Sequence, residues 1–247
     1  MEIILGIIAG WLLAVGINYF SDVLPVSRSL VGVPCHQCQA AFPWLRYLLL
    51  QPCAACGAKR TPRAWAVQVL FTAAVVAIFL FPPGRLGVWL GSGLLAYFAV
   101  VAVIDLEHRL ILYSVSWVGA GIGLLIGLGR NPLLDTLLGG AVGFGIMFTF
   151  YYLGILFNRL MSHLRHQESD EVALGYGDVN LAGIIGLLLG WPEILGGLMI
   201  AIVLGGVVSG LLMAGMALLR RYKAMTAIPY APFLLIGAMI FLYIPKN

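Results

Sequence analysis

Apolar residues in this chain fall into eight long blocks, at roughly 3–20, 64–82, 86–104, 111–129, 134–157, 179–191, 194–219 and 227–244. A helix that crosses a bilayer needs about 20 apolar residues or slightly fewer, so the pattern predicts an all-α polytopic membrane protein with about eight transmembrane helices. Segment 179–191 is short and glycine-rich, and it reads either as a full span or as a helix that dips or joins its neighbour at Trp191-Pro192. A seven-helix count would move the C-terminus across the membrane.

Composition agrees with this class. Hydrophobic residues make up 62% of the chain, charged residues 10%, and the mean hydropathy is +1.02, values outside the range of soluble domains. The first segment opens Met1-Glu2 without a basic start or a small-residue cleavage site and reads as a retained helix. Assigning each basic residue to a loop places Arg28, Arg46, Lys59, Arg60, Arg63, Arg109, Arg159, Arg165, Arg220, Arg221 and Lys223 on one side. Arg85, Arg130 and Lys246 fall on the other. By the positive-inside rule the first side is cytoplasmic. The expected localisation is therefore the cytoplasmic membrane, with the N-terminus outside. The net charge of +4 reflects topology and contact with anionic lipid, and no nucleic-acid partner is implied.

Two acidic residues stand out against this background. Asp105 lies in the run Val-Val-Ala-Val-Ile-Asp-Leu-Glu-His, and Asp178 closes Gly175-Tyr176-Gly177-Asp178 at the start of another apolar block. Carboxylates are costly near lipid and mark functional sites by default. The derived topology brings both to the cytoplasmic interface, where the alternative reading is of helix-end residues wetted by headgroup water. Gly175 and Gly177 are poor helix formers that let a substrate backbone approach closely. Two carboxyl groups in one site share a proton, so that one holds it while the other activates water. Asp135, Glu193, Glu168, Asp170 and Glu171 have ordinary explanations as first-turn or loop residues.

All four cysteines lie in one loop between the first two long blocks, as Cys35-His36-Gln37-Cys38 and Cys53-Ala54-Ala55-Cys56. Paired Cys-x-x-Cys knuckles supply four thiolates for a tetrahedral Zn2+ site. The 14 residues between them fall just short of the usual spacer of about 15 to 20. A cytoplasmic loop disfavours disulfides, and a four-cysteine site is closed and structural. Four free thiols are the alternative.

With these elements in place the chain resembles the type IV prepilin peptidase family, multi-spanning GxGD aspartyl proteases. Ile104-Asp105-Leu106-Glu107-His108-Arg109-Leu110-Ile111 looks like the family's first aspartate motif, Gly175-Tyr176-Gly177-Asp178-Val179-Asn180-Leu181 like its second, and Ile228-Pro229-Tyr230-Ala231-Pro232-Phe233 like its Pro-Phe-x-Pro-Phe element. The double Cys-x-x-Cys loop lies where bifunctional members carry a zinc knuckle. The resemblance implies a methyltransferase-like region over 1–63 and an aspartyl protease domain over 64–247. It also implies removal of a short basic leader from type IV prepilins or type II secretion pseudopilins, with catalytic Asp105 and Asp178. Many members then methylate the new N-terminus with S-adenosylmethionine. The segments tied to that step read Gly16-Ile17-Asn18-Tyr19-Phe20 and Arg63-Ala64-Trp65-Ala66-Val67-Gln68, with Gln68 in place of an acidic residue.

Two rivals stay open. A proton- or cation-coupled transporter would use the same carboxylates as a relay, although both lie at one face. A catalytically inactive, zinc-stabilised scaffold would need neither. The many glycine pairs read as helix-packing positions, and residues 158–176 as a polar loop that gates or contacts the substrate. The sequence leaves the oligomeric state undefined.

Overall fold

The computed structural model describes residues 1–27, 35, 37–38, 40, 44–165, 175–218 and 229–244. Among these residues the regular structure is all helix, and the chain divides into two compact units, Met1–His108 and Arg109–Asn247. This boundary is one of packing, and differs from the functional division expected at 63/64.

The first unit holds α1 (Glu2–Ser27), α2 (Trp44–Leu48), α3 (Pro62–Leu80) and α4 (Gly87–His108). Helix α1 packs against α3 and α4 and also touches α2. Thr61 caps α3, its hydroxyl accepting from the Ala64 amide at 3.4 Å, and Pro62 occupies the first turn, where a missing N–H costs nothing. Helix α1 runs seven residues past the apolar block predicted to end at Phe20, which carries Asp22 into the helix with only 7% of its surface exposed.

The second unit holds α5 (Tyr113–Arg130), α6 (Leu133–Arg165), α7 (Tyr176–Leu189), α8 (Glu193–Leu218) and α9 (Ala231–Tyr243). Helix α7 is the centre, packed by α5, α6, α8 and α9. Val179, Leu181 and Ala182 show no exposed surface and Leu188 and Leu189 almost none, the signature of a helix apolar all round and surrounded by protein. At 14 residues it is about 21 Å long, shorter than a hydrocarbon core of about 30 Å. Its C-terminal carbonyls are met from the α5–α6 corner. Asn131 Nδ2 donates to Leu189 O at 3.1 Å and Arg130 to Leu188 O at 3.4 Å, while Gly190 turns the chain at φ +76°. Helices α6 and α7 approach backbone to backbone: a Cβ on Gly186 would lie 2.1 Å from the Gly139 carbonyl oxygen. Of the glycine pairs expected to mediate packing, Gly139-Gly140 and Gly196-Gly197 do so, whereas a Cβ at Gly206 would meet nothing within 4 Å.

Each expected apolar block coincides with one of these helices, α2 being additional. Five helices, α1, α3, α4, α6 and α8, are long and apolar enough to cross a membrane; α7 and α9 are apolar but have 14 and 13 residues. The count of eight spans is thus an expectation that length alone does not establish. One expectation is corrected. Residues 158–165 belong to α6 and not to a loop, because Leu160, Met161 and Leu164 continue a helix-forming sequence through the polar positions. Of the rest of that segment, Tyr176 opens α7 and 166–174 lie outside the described residues, as do Ile228 and the start of the block expected at 227. Helix α9 begins at Ala231, after Pro229-Tyr230.

Candidate active site and cysteine centre

Asp105 stands in the last turn of α4, three residues before the helix ends at His108. It is 5% exposed, on the buried flank with Val101 and Ile104. Arg109 follows with φ +53°, a left-handed residue that stops the helix.

Asp178 is the third residue of α7, with its carboxylate folded back onto the helix start. The Gly175 amide donates to Asp178 Oδ2 at 3.2 Å, and the Asp178 amide donates to the Gly175 carbonyl at 3.1 Å. A carboxylate in this position satisfies an N–H that the first turn leaves without a helical partner, so Asp178 caps the turn from inside the helix and not from the N-cap position. It is 7% exposed. The two glycines differ in their surroundings. A Cβ at Gly177 would meet Ile111 Cβ at 2.7 Å, so packing alone demands glycine there; one at Gly175 would meet only Asp178 Oδ2 and the Gly177 amide. Of the pair, Gly175 has the open face. On the other flank of α7, Tyr176 and Asn180 line a groove of about 360 Å3 closed by Tyr113, Ser116, Gly140 and Phe144. Tyr176 is edge-on to the rings of Phe144 and Tyr151.

The four cysteines come together. Their sulfur atoms all lie within 4.8 Å of one another, with Cys35–Cys56 at 3.6 Å and Cys38–Cys53 at 3.7 Å. Zn–S bonds of about 2.3 Å in a tetrahedron place sulfurs about 3.8 Å apart, so the donor set fits Zn2+ in both chemistry and spacing. Backbone geometry prepares each knuckle: Cys35 N donates to Ala40 O, Cys53 N to Ala58 O, and Gly57, at φ +71°, returns its amide to Cys53 O. The Cys38 and Gln37 amides pointing at its sulfur hold the Cys35 thiol down at about 6. Cys53 is lowered likewise by the amides of Cys56 and Ala55.

Sequence inspection missed a polar network in the first unit. Asp22 accepts from the Tyr47 hydroxyl at 2.7 Å, pairs with Arg63, and lies 3.6 Å from Arg60. The Arg60 guanidinium rests 3.7 Å over the Tyr47 ring, a cation–π contact. Arg63 also donates to Asn18 Oδ1 and pairs with Glu107 at 2.9 Å. Asn18 in turn donates to the Ala64 carbonyl, and Gln68, fully buried, donates to the Trp11 carbonyl. Asp22 was a detectable signal, since an acidic residue three positions before a proline-interrupted helix end is as costly near lipid as Asp105.

These features define a helical membrane protein with a four-cysteine centre and two buried helix-end aspartates. The model of the type IV leader peptidase family matches residues 92–210. A Klebsiella pneumoniae protein named prepilin leader peptidase/N-methyltransferase is 30% identical over 173 residues, covering 65% of this chain and 69% of the relative. Proteins of the same name from Aeromonas salmonicida and Myxococcus xanthus are 29% identical over 206 residues and 36% over 115. The chain covers 80% and 46% of itself in those matches but only 64% and 31% of the relatives' lengths. No solved structure matches. The chain belongs to the type IV leader peptidase family.

Proposed function

We propose that this protein cleaves the leader peptide from type IV prepilins or type II secretion pseudopilins at the cytoplasmic face of the membrane, with Asp105 and Asp178 as a catalytic dyad. The observation that carries this reading is the placement of both aspartates, each more than nine-tenths buried at the end of an apolar helix within the segment matched by the family model. Buried carboxylates are retained in such positions for function. In the reaction one carboxyl group holds a proton and the other, ionised, takes a proton from water as its oxygen attacks the scissile carbonyl; the shared proton passes to the leaving amine. The pair titrates as a unit. An extended substrate backbone is needed, because helical peptide groups are shielded by their own hydrogen bonds, and the open face of Gly175 suits such an approach.

Cys35, Cys38, Cys53 and Cys56 would hold a structural Zn2+, which closes the two knuckles on each other and offers no open coordination position. The second activity in the relatives' name is methyl transfer. Here Gln68 is enclosed and bonded to the Trp11 carbonyl, and Arg63 is committed to Asp22, Asn18 and Glu107. Both side chains are thus bonded to residues of this chain, and retention of methyl transfer is read directly by the test below.

The test is cleavage of a detergent-solubilised prepilin by the purified protein beside Asp105→Asn and Asp178→Asn, with mass spectrometry of the released N-terminus. Cutting by wild type and by neither variant supports the dyad. Cutting by either variant, or none by a folded, zinc-loaded wild type on several prepilins, overturns it. A further mass of about 14 Da with S-adenosylmethionine supplied would show that methylation is retained.

A further inference from the structure

We infer that Arg63 is a positioning residue for Asp105, acting through Glu107 on the last turn of α4; the inference rests on the dyad reading above. Three facts within the first unit lead to it. Asp105 and Glu107 share the final turn of α4, which ends one residue later at His108. The last turn of a helix is its least secure part, because its carbonyls lack helical partners, and an acidic side chain there opposes the helix dipole. Glu107 is therefore misplaced on helix grounds alone, and it is 35% exposed in its side chain yet drawn to Arg63 Nε at 2.9 Å.

Arg63 is a firm anchor for that turn. It is the second residue of α3, and its guanidinium is held from the α1 side by Asp22 and by Asn18 Oδ1 at 3.3 Å. Asp22 is itself fixed by the Tyr47 hydroxyl and flanked by Arg60. One guanidinium thus ties the start of α3 and the end of α1 to the end of α4. Residues two apart on a helix lie about 200° apart around its axis, so the pair grips the turn on the flank away from the Asp105 carboxylate. Its influence on Asp105 passes through the backbone of residues 105–108.

Partly exposed ion pairs stabilise a protein only modestly, whereas small displacements of a catalytic group are costly in rate. Loss of the pair should consequently act on turnover far more than on folding. For Glu107→Gln, which removes the charge at constant shape, we expect kcat to fall roughly 3- to 10-fold with KM within about 2-fold and the thermal midpoint nearly unchanged. Arg63→Gln should fall at least as far, and the double variant no further than Arg63→Gln alone, since both changes break one link. Backbone amide exchange in detergent should quicken at residues 105–108 of Glu107→Gln and stay as in wild type at 95–102. Unchanged kcat in Glu107→Gln, additive losses in the double variant, or unchanged exchange over 105–108 would each overturn the inference. The exchange experiment needs no substrate, so it separates failure of this inference from failure of the peptidase reading.

Discussion

Replacing Asp22 by alanine removes the acceptor at the centre of the polar network in the first unit. Its side chain is 3% exposed and faces the Tyr47 hydroxyl at 2.7 Å, the Arg63 guanidinium, and Arg60 at 3.6 Å. Alanine leaves two guanidinium groups and a hydroxyl facing one another in a space largely closed to water. Breaking a buried pair from one side costs about 3 to 5 kcal/mol, and an orphaned hydroxyl about 1 to 3 kcal/mol. Both losses come from one side chain and overlap. Arg63 is also 21% exposed, so water recovers part of the loss, and the expected cost is about 3 kcal/mol. For a chain of this length each kcal/mol moves the midpoint by about 2 to 4 °C, which predicts unfolding about 6 to 12 °C below wild type. Intrinsic-fluorescence melting of the detergent-solubilised protein at one fixed scan rate reads this, the fixed rate being needed because such unfolding is often irreversible. Tyr47→Phe should lose only about 1 kcal/mol, or about 2 to 4 °C. The double variant should melt no lower than Asp22→Ala, since phenylalanine removes the orphaned hydroxyl. A midpoint for Asp22→Ala within about 2 °C of wild type, or strictly additive losses, would refute this account of the network.

The same hydroxyl makes a pH-dependent contribution. Burial and the Asp22 carboxylate push the Tyr47 phenol well above its ordinary value of 10.0, so the folded state holds this proton more tightly than the unfolded state. Its stabilisation is complete below about pH 10 and is lost above it; Tyr47→Phe should flatten the alkaline side of the melting-point profile. In the cysteine centre, Cys35 ionises at about 6, whereas Cys56 is pushed up to about 12 by the Cys38 sulfur and by burial, despite the amide of Ala58. Adding Zn2+ to metal-free protein near pH 7 should therefore release protons into a weakly buffered solution, and affinity should drop steeply as pH falls through about 6. Unchanged pH on loading would rule out thiolate ligation. In the second unit, Gly186→Ala drives a methyl group against the Gly139 carbonyl, 2.1 Å away, while Gly145→Ala meets nothing within 4 Å. The first should cost about 1 to 3 kcal/mol or prevent accumulation of folded protein, and the second should melt like wild type.

Much of this molecule is legible in its sequence, because the physics involved is local. Apolar blocks near the length of a bilayer specify helices wherever they occur, so each expected block coincides with a helix among the described residues. Proline and glycine at 82–84, 131–132 and 190–192 end those helices without reference to the rest of the chain. The knuckles are equally local, each bringing two sulfurs together through a short turn. Helix limits were less legible. The run through 158–165 looked like a loop because it is polar, but helix persists there since nothing in it breaks a helix. The short length of α7 is tolerable only because other helices surround it and Asn131 and Arg130 meet its final carbonyls.

The sequence by itself determined a helical membrane protein, a four-cysteine centre and two aspartates at helix ends, since hydropathy, turn chemistry and ligand spacing act over a few residues. Only the tertiary structure decided which polar residues satisfy one another. Asp22, Tyr47, Arg60, Arg63 and Glu107 are scattered over 86 positions of the chain, and no periodicity connects them. They meet because burying a charge is unfavourable until an opposite charge or a donor arrives, and that partner is chosen by how α1, α2, α3 and α4 pack.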